Sequence, residues 1–203
     1  ATDAANNINL TETRYINLSA STNSTPPQIT INSPLAKNYS ASSINFNVTT
    51  NENSSCLYSL NSGTLNISMQ NNANRDFNAT NASIGDGQYT VKYYCNDTDG
   101  NWNSTSRGFG VDTTYPLISF GAGTAVNYEN LTQNSIYVNV SLTETNLANI
   151  TYILAYGNGS ILNSTTYITS TLSINWTGLS YRNYTYNVSA TDAANNINLP
   201  ETR

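Results

Sequence analysis

An asparagine followed two residues later by serine or threonine, with anything but proline between, is the acceptor for an N-linked glycan. The sequence holds 19 such triplets, at Asn9, Asn17, Asn23, Asn38, Asn47, Asn53, Asn66, Asn78, Asn81, Asn96, Asn103, Asn130, Asn139, Asn149, Asn158, Asn163, Asn175, Asn183 and Asn187. Ser and Thr make up about a quarter of the chain, so random placement of its 35 Asn would give about nine acceptors. Part of the excess has an ordinary cause. Residues i and i+2 of a strand share a face, so Asn-apolar-Thr is also the pattern of a strand that is polar outside and apolar inside. Eleven of the 19 have an apolar residue or Tyr in the middle, as in Asn47-Val-Thr49 and Asn139-Val-Ser141. Asn23, Asn78, Asn81, Asn103, Asn158 and Asn163 have small or polar middles and read as loop sites. Many of the 19 are therefore expected to carry glycans, neutral bulk that solubilises the chain, blunts strand edges and shields the backbone from proteases. No cofactor is expected beside these covalent N-linked glycans.

The two cysteines offer a second chemistry. Cys56 starts an alternating run with Tyr58 and Leu60, and Cys95 ends one with Tyr89, Val91 and Tyr93, so both can face the core from adjacent strands. A disulfide closing a loop of about 40 residues, worth ~3–4 kcal/mol by loop entropy, is favoured over two buried free thiols. Asp97, Asp99 and Asn101 place oxygen ligands at i, i+2 and i+4 around Gly100, a fragment of a calcium loop. The distal bidentate Glu of such a loop is missing, and an Asp-Gly hairpin turn is the stronger reading, so no metal is expected beyond this weak candidate. Catalysis has little to work with. There is no histidine, the commonest general base. Neither cysteine has basic neighbours to form a thiolate, and Glu12, Glu129 and Glu144 stand alone rather than as a carboxylate pair. No enzyme is expected. Trp102, Trp176 and the tyrosines could stack on sugars, although such rings more often pack cores and cross-strand pairs.

Strands must carry these residues. The Asn/Ser/Thr-rich composition fits either a disordered tract or a folded domain with neutral polar faces, but 15 Tyr and recurrent Ile, Val and Thr favour an all-β fold. Alternating runs at 28–31, 44–48, 56–60, 64–69, 88–95 and 107–111 form one set; those at 117–120, 135–142, 149–156, 170–176 and 183–190 form another. Two sandwich domains of roughly 90 residues follow, joined near Asp112–Pro116. No run approaches the ~20 apolar residues of a spanning helix, so no membrane insertion is expected within this chain. No basic-then-apolar leader opens it, which leaves any secretion signal upstream or removed. Seven Lys and Arg against twelve Asp and Glu make a poor surface for nucleic acid.

The chain carries ATDAANNINLTETR at residues 1–14 and ATDAANNINLPETR at 190–203, differing only at Thr11 and Pro200. Residues 1–24 therefore resemble the end of the second domain and are expected to be a strand segment that completes a neighbouring unit; domain one then spans 25–114 and domain two 115–203. Two arrangements fit: one window of a covalent tandem array, or a subunit whose N-terminal strand fills its neighbour's open sheet edge. Each makes the partner another copy in a head-to-tail homopolymer.

The stretches CLYSLNSG (56–63), DGQYTVKYYCNDTDGN (86–101), VDTTYP (111–116) and YTYNVSATDAANN (184–196) resemble the tandem Ig-like repeats of prokaryotic, especially archaeal, cell-surface glycoproteins. The second copy departs from the pattern. Setting Asp192 on Asp99 puts Val188 at the place of Cys95. The resemblance implies two tandem Ig-like domains at an extracellular or cell-surface location, as a filament, sheath, stalk or adhesin. The expectation is a structural unit of a heavily N-glycosylated extracellular filament; the alternative is a cell-surface adhesin or carbohydrate-binding module.

Overall fold

The computed structural model describes residues 2–8, 12–17 and 23–203. Period-two alternation builds the first domain from β1 (Ile29–Ser33), β2 (Asn38–Tyr39), β3 (Ile44–Thr50), β4 (Ser54–Ser59), β5 (Ile67–Ser68), β6 (Gln70–Asn71), β7 (Asp76–Asn81), β8 (Gly87–Asp97) and β9 (Trp102–Val111). One sheet has the order β1-β3-β7-β6 and the other β2-β9-β8-β4-β5. Phe46 and Val48 from the first meet Tyr58, Val91, Tyr93 and Phe109 from the second in one core, where Phe46 and Tyr58 stack at 4.4 Å.

The expected strand at 64–69 is instead a crossing. β5 pairs with β4, β6 pairs with β7, and Met69 between them is buried, so the chain changes sheets at that residue. Of the strands longer than two residues, two were not expected at all. β7 turns only Phe77 and Ala79 toward the core. The other belongs to the second domain, which comprises β10 (Leu117–Phe120), β11 (Ile136–Thr143), β12 (Leu147–Tyr156), β13 (Ile161–Tyr167), β14 (Ser173–Trp176), β15 (Tyr184–Asp192) and β16 (Ile197–Asn198). β13 is an edge strand in the order β13-β12-β15-β16, facing β10-β11-β14, and is mostly exposed. An edge strand gains its place from main-chain bonds on one side, so its sequence need not alternate strongly.

Cys56 and Cys95 lie directly opposite one another on β4 and β8 and are joined as a disulfide within one sheet. The second domain solves the same position with packing. Its Asp192 matches Asp97 rather than Asp99, because the two residues make the same turn bonds, described below. Counting from that match sets Ala190 at the place of Cys95 and Asn195 at that of Gly100, and the strand register then sets Ile150 at that of Cys56. Ile150 and Ala190 are register partners on β12 and β15, both fully buried. The alignment on Asp99 was off by two, a shift that keeps strand parity and so leaves the inward pattern unchanged.

Replacing the cystine by that apolar pair, Cys56→Ile with Cys95→Ala, is expected to leave the first domain folded. It should lower unfolding stability by about 2–4 kcal/mol, the range for loss of a disulfide. Urea unfolding of the variant against the oxidised parent measures this.

Candidate functional site

Hairpin turns at three places in the chain repeat one set of bonds. In the first domain Asp97 Oδ1 accepts the backbone N–H groups of Asp99 (3.0 Å) and Asn101 (2.8 Å), and Oδ2 accepts Asn101 Nδ2 (2.8 Å). In the second, Asp192 Oδ1 accepts Ala194 and Asn196 N–H, and Oδ2 accepts Asn196 Nδ2, all at 2.8 Å. At the N-terminus Asp3 does the same with Ala5 N–H, Asn7 N–H and Asn7 Nδ2, all at 2.9 Å. The residue before the Asn is left-handed each time, with φ of 65° at Asn6, 87° at Gly100 and 68° at Asn195. Asn and Gly are the residues that reach this conformation at least cost. The Asp97 carboxylate directs its oxygens at N–H donors, so the hairpin turn describes the geometry at the calcium-loop fragment. No group of three or more metal-ligating side chains occurs among the described residues.

Each folded turn also holds the chain that enters its own domain. An Asn amide nitrogen has two hydrogens; one goes to the Asp carboxylate and the second to a backbone carbonyl. Asn101 Nδ2 reaches Asn23 O (2.7 Å), and Asn103 Nδ2 reaches Pro27 O (2.8 Å). At the junction of the two domains Asn196 Nδ2 reaches Asp112 O (2.7 Å), and Asn198 Nδ2 reaches Pro116 O (2.9 Å). Asp86 of domain one holds the same linker from the other side, accepting Thr113 N–H and both the Thr113 and Thr114 hydroxyls at 2.9 Å. The VDTTYP stretch is thus a linker gripped by both domains. Sequence reasoning missed this clamp, although the recurring Asp-x-x-x-Asn-x-Asn spacing was its visible signal.

Of the sequon asparagines, Asn9 lies outside the described residues. Among the other 18, ten are exposed and eight half-buried. Asn78 and Asn81 lie on β7, Asn103 on β9 and Asn163 on β13, so four of the six expected loop sites sit on strands; Asn23 and Asn158 are outside them. Small or polar middles mark outer or edge strands here as well as loops. Asn23, Asn103 and Asn139 spend their amide nitrogens on protein acceptors. Asn17, Asn53, Asn66, Asn130, Asn158, Asn163, Asn175 and Asn183 are exposed, with no acceptor for that nitrogen among the described residues. At Asn163 the carbonyl oxygen accepts the Thr165 hydroxyl of its own sequon (2.8 Å) and Trp176 Nε1 (3.0 Å), which leaves the nitrogen outward.

No protein-family model matches the sequence, and no curated protein is similar to it. Among solved structures the chain is similar to the fibronectin(III)-like modules of Clostridium thermocellum CbhA. The two are 18% identical, with 86% of this chain and 91% of that one covered at a TM-score of 0.57. It is also similar to domains A168–A170 of titin, at 10% identity, covering 88% of this chain and 63% of that one with a TM-score of 0.54. The chain is therefore all-β, a tandem of two immunoglobulin- and fibronectin-III-like sandwich domains.

Hydrogen bonds, first that from the Asn101 side chain, hold the Asp97 carboxyl below its ordinary pKa. Its contribution to stability is then complete above about pH 4, the unfolded value, and is lost as pH falls through the lower folded value. Asn101→Ala is expected to unfold more easily than the parent at pH 6, with the gap narrowing toward pH 2–3. Urea midpoints across that range measure it. Asn196→Ala, which strips a donor from the buried Asp192, should cost the second domain about 2–3 kcal/mol.

Proposed function

We propose that the chain is a structural unit of an N-glycosylated extracellular filament, sheath or stalk, repeated head to tail. One observation carries this: the turn that closes domain two at Asp192–Asn196 is built again at Asp3–Asn7, bond for bond, where the described residues offer nothing for it to clamp. A turn of this kind has its use at the end of a sandwich domain, so its second copy belongs to another unit. The gripped linker supports a stiff spacer rather than a loose string of domains, since both neighbours hold it by hydrogen bonds. The cross-strand disulfide fits an oxidising, extracellular setting. The absence of histidine and the similarity to fibronectin-like modules fit a non-enzymatic role.

Glycans are part of the proposal. Charged residues are only 9% of the chain, so a polymer of it would rely on neutral polar groups and sugars for solubility. Intact mass of the protein from its source, before and after removal of N-glycans, should fall by many sugar masses. The exposed sites Asn53, Asn66, Asn130, Asn158, Asn163, Asn175 and Asn183 should be occupied ahead of Asn103 and Asn139. An unmodified mass would overturn the glycan half, and a particle without regular filaments under the electron microscope would overturn the other.

A further inference from the structure

The edge strands of the two sandwiches are not equally protected. A strand edge with free N–H and C=O groups pairs with other chains unless it is short, charged, interrupted by Pro or covered. Among the described residues, β2, β5, β6 and β16 are edges of two residues each, and β10 and β14 of four. β1 has five and lies between Pro27 and Pro34, with a register shift inside it. β13, ILNSTTY, is the longest at seven residues. It has neither charge nor proline: no Asp, Glu, Lys or Arg occurs between Glu144 and Arg182, and no Pro between Pro116 and Pro200. β12 pairs with it on one side, and no backbone bond joins the other side to any described residue. Its own register shift, opposite Leu154 and Ala155, lies at its start, so Asn163–Tyr167 form an unbroken ladder.

The sequon Asn163-Ser-Thr165 lies within this strand. Asn163 is the register partner of the fully buried Leu154, and residues directly opposite share a face. Asn163 therefore stands on the core side of its sheet, at the rim of the sandwich. There its Oδ1 accepts the Thr165 hydroxyl (2.8 Å) and Nε1–H of Trp176 (3.0 Å), a buried residue of β14 in the facing sheet. Two donors on one oxygen fix the plane of the amide, and with it the direction in which Nδ2 leaves the protein. Among the described sequon asparagines this is the one whose oxygen is held by two side chains. With β12 on one flank and Trp176 across the seam, the side left to the nitrogen is the free edge. A strand pairing there would set a residue opposite Asn163 on the same face, its Cβ about 5 Å away. A sugar on Nδ2 fills that space.

We propose that Asn163 carries a glycan that closes the free edge of β13, and that without it two copies of the chain pair antiparallel through that strand. Centred on Ser164, such a pair sets Asn163 opposite Thr165 and Leu162 opposite Thr166, with no like charges to oppose it. One two-fold axis relates the two copies, so single particles become pairs and filaments become lateral bundles. This rests on the glycan half of the reading above and gives one site its task.

The test uses the full chain and its variants produced in the source organism, followed by glycopeptide mass, light scattering and electron microscopy. The parent should carry sugar at Asn163 and stay as single particles or single filaments. Thr165→Ala ends the sequon but leaves the bond between Asn163 and Trp176. It should about double the particle mass or bundle the filaments, with new hydrogen-exchange protection at Asn163–Tyr167. Thr165→Ser, which keeps the acceptor triplet, should behave like the parent. So should Asn130→Gln, which removes an exposed acceptor elsewhere. Adding Ser164→Lys to Thr165→Ala should restore single particles, because a charge in the middle of an edge blocks pairing, and that rescue shows the single variant to be folded. Thr165→Ala at the parent's mass would overturn the proposal, as would association that survives Ser164→Lys and so uses another surface. A bare Asn163 on a parent with sugars elsewhere would overturn it while leaving the glycan reading in place. A parent with no sugar at all would overturn both.

Discussion

One hydrogen-bonded pair, an aspartate and the asparagine four residues on, organises the molecule. The Asp carboxylate takes two backbone N–H groups and one side-chain N–H inside the hairpin. The Asn amide has a second hydrogen fixed by the first, and in both domains it points at the segment that leads into that domain. A single turn therefore closes the last two strands of a sandwich and anchors its first strand at the same end. Domain order follows from that coupling. A linker held at Asp112 and Thr114 by the next domain and at Thr113 and Thr114 by the previous one has few free torsions left.

The two domains show how one framework tolerates different cores. Cystine in the first and an Ile–Ala pair in the second fill the same register position, one by covalent bond and one by close packing. The surface is shared: neutral Asn, Ser and Thr along strand faces where other sandwich proteins carry charges. Strand faces lined by such residues are soluble, but their edges stay open to pairing. Sugars on β13 at Asn163 would cover one such edge.

Much of this was legible beforehand, and unevenly so. QYTVKYYC alternates so strongly that β8, its inward Cys95 and the pairing with Cys56 could be read directly. β7 and β13 could not, because DFNATN and ILNSTTY bury little and are held by neighbouring backbone. The change of sheet at Met69 leaves no mark in a run that alternates without a break. Asp192 was set two residues off because Asp99 and Asp97 are both plausible matches in letters. Only the bonds tell them apart.

By itself the sequence determined the all-β class, the two domains, the cysteine pair and the duplication of the closing hairpin, since alternation and repetition are local or one-dimensional facts. The tertiary structure decided which sequon asparagines bond their amide nitrogens to the protein and which turn them outward. Asn103 and Asn163 carry the same triplet, yet the amide nitrogen of one is bound to Pro27 O and that of the other faces out. It also decided that the chain changes sheets at Met69, whose N–H bonds Cys56 O. Both depend on carbonyls and side chains about 13 to 80 residues away in sequence, and spacing along a chain does not specify what folding brings beside it.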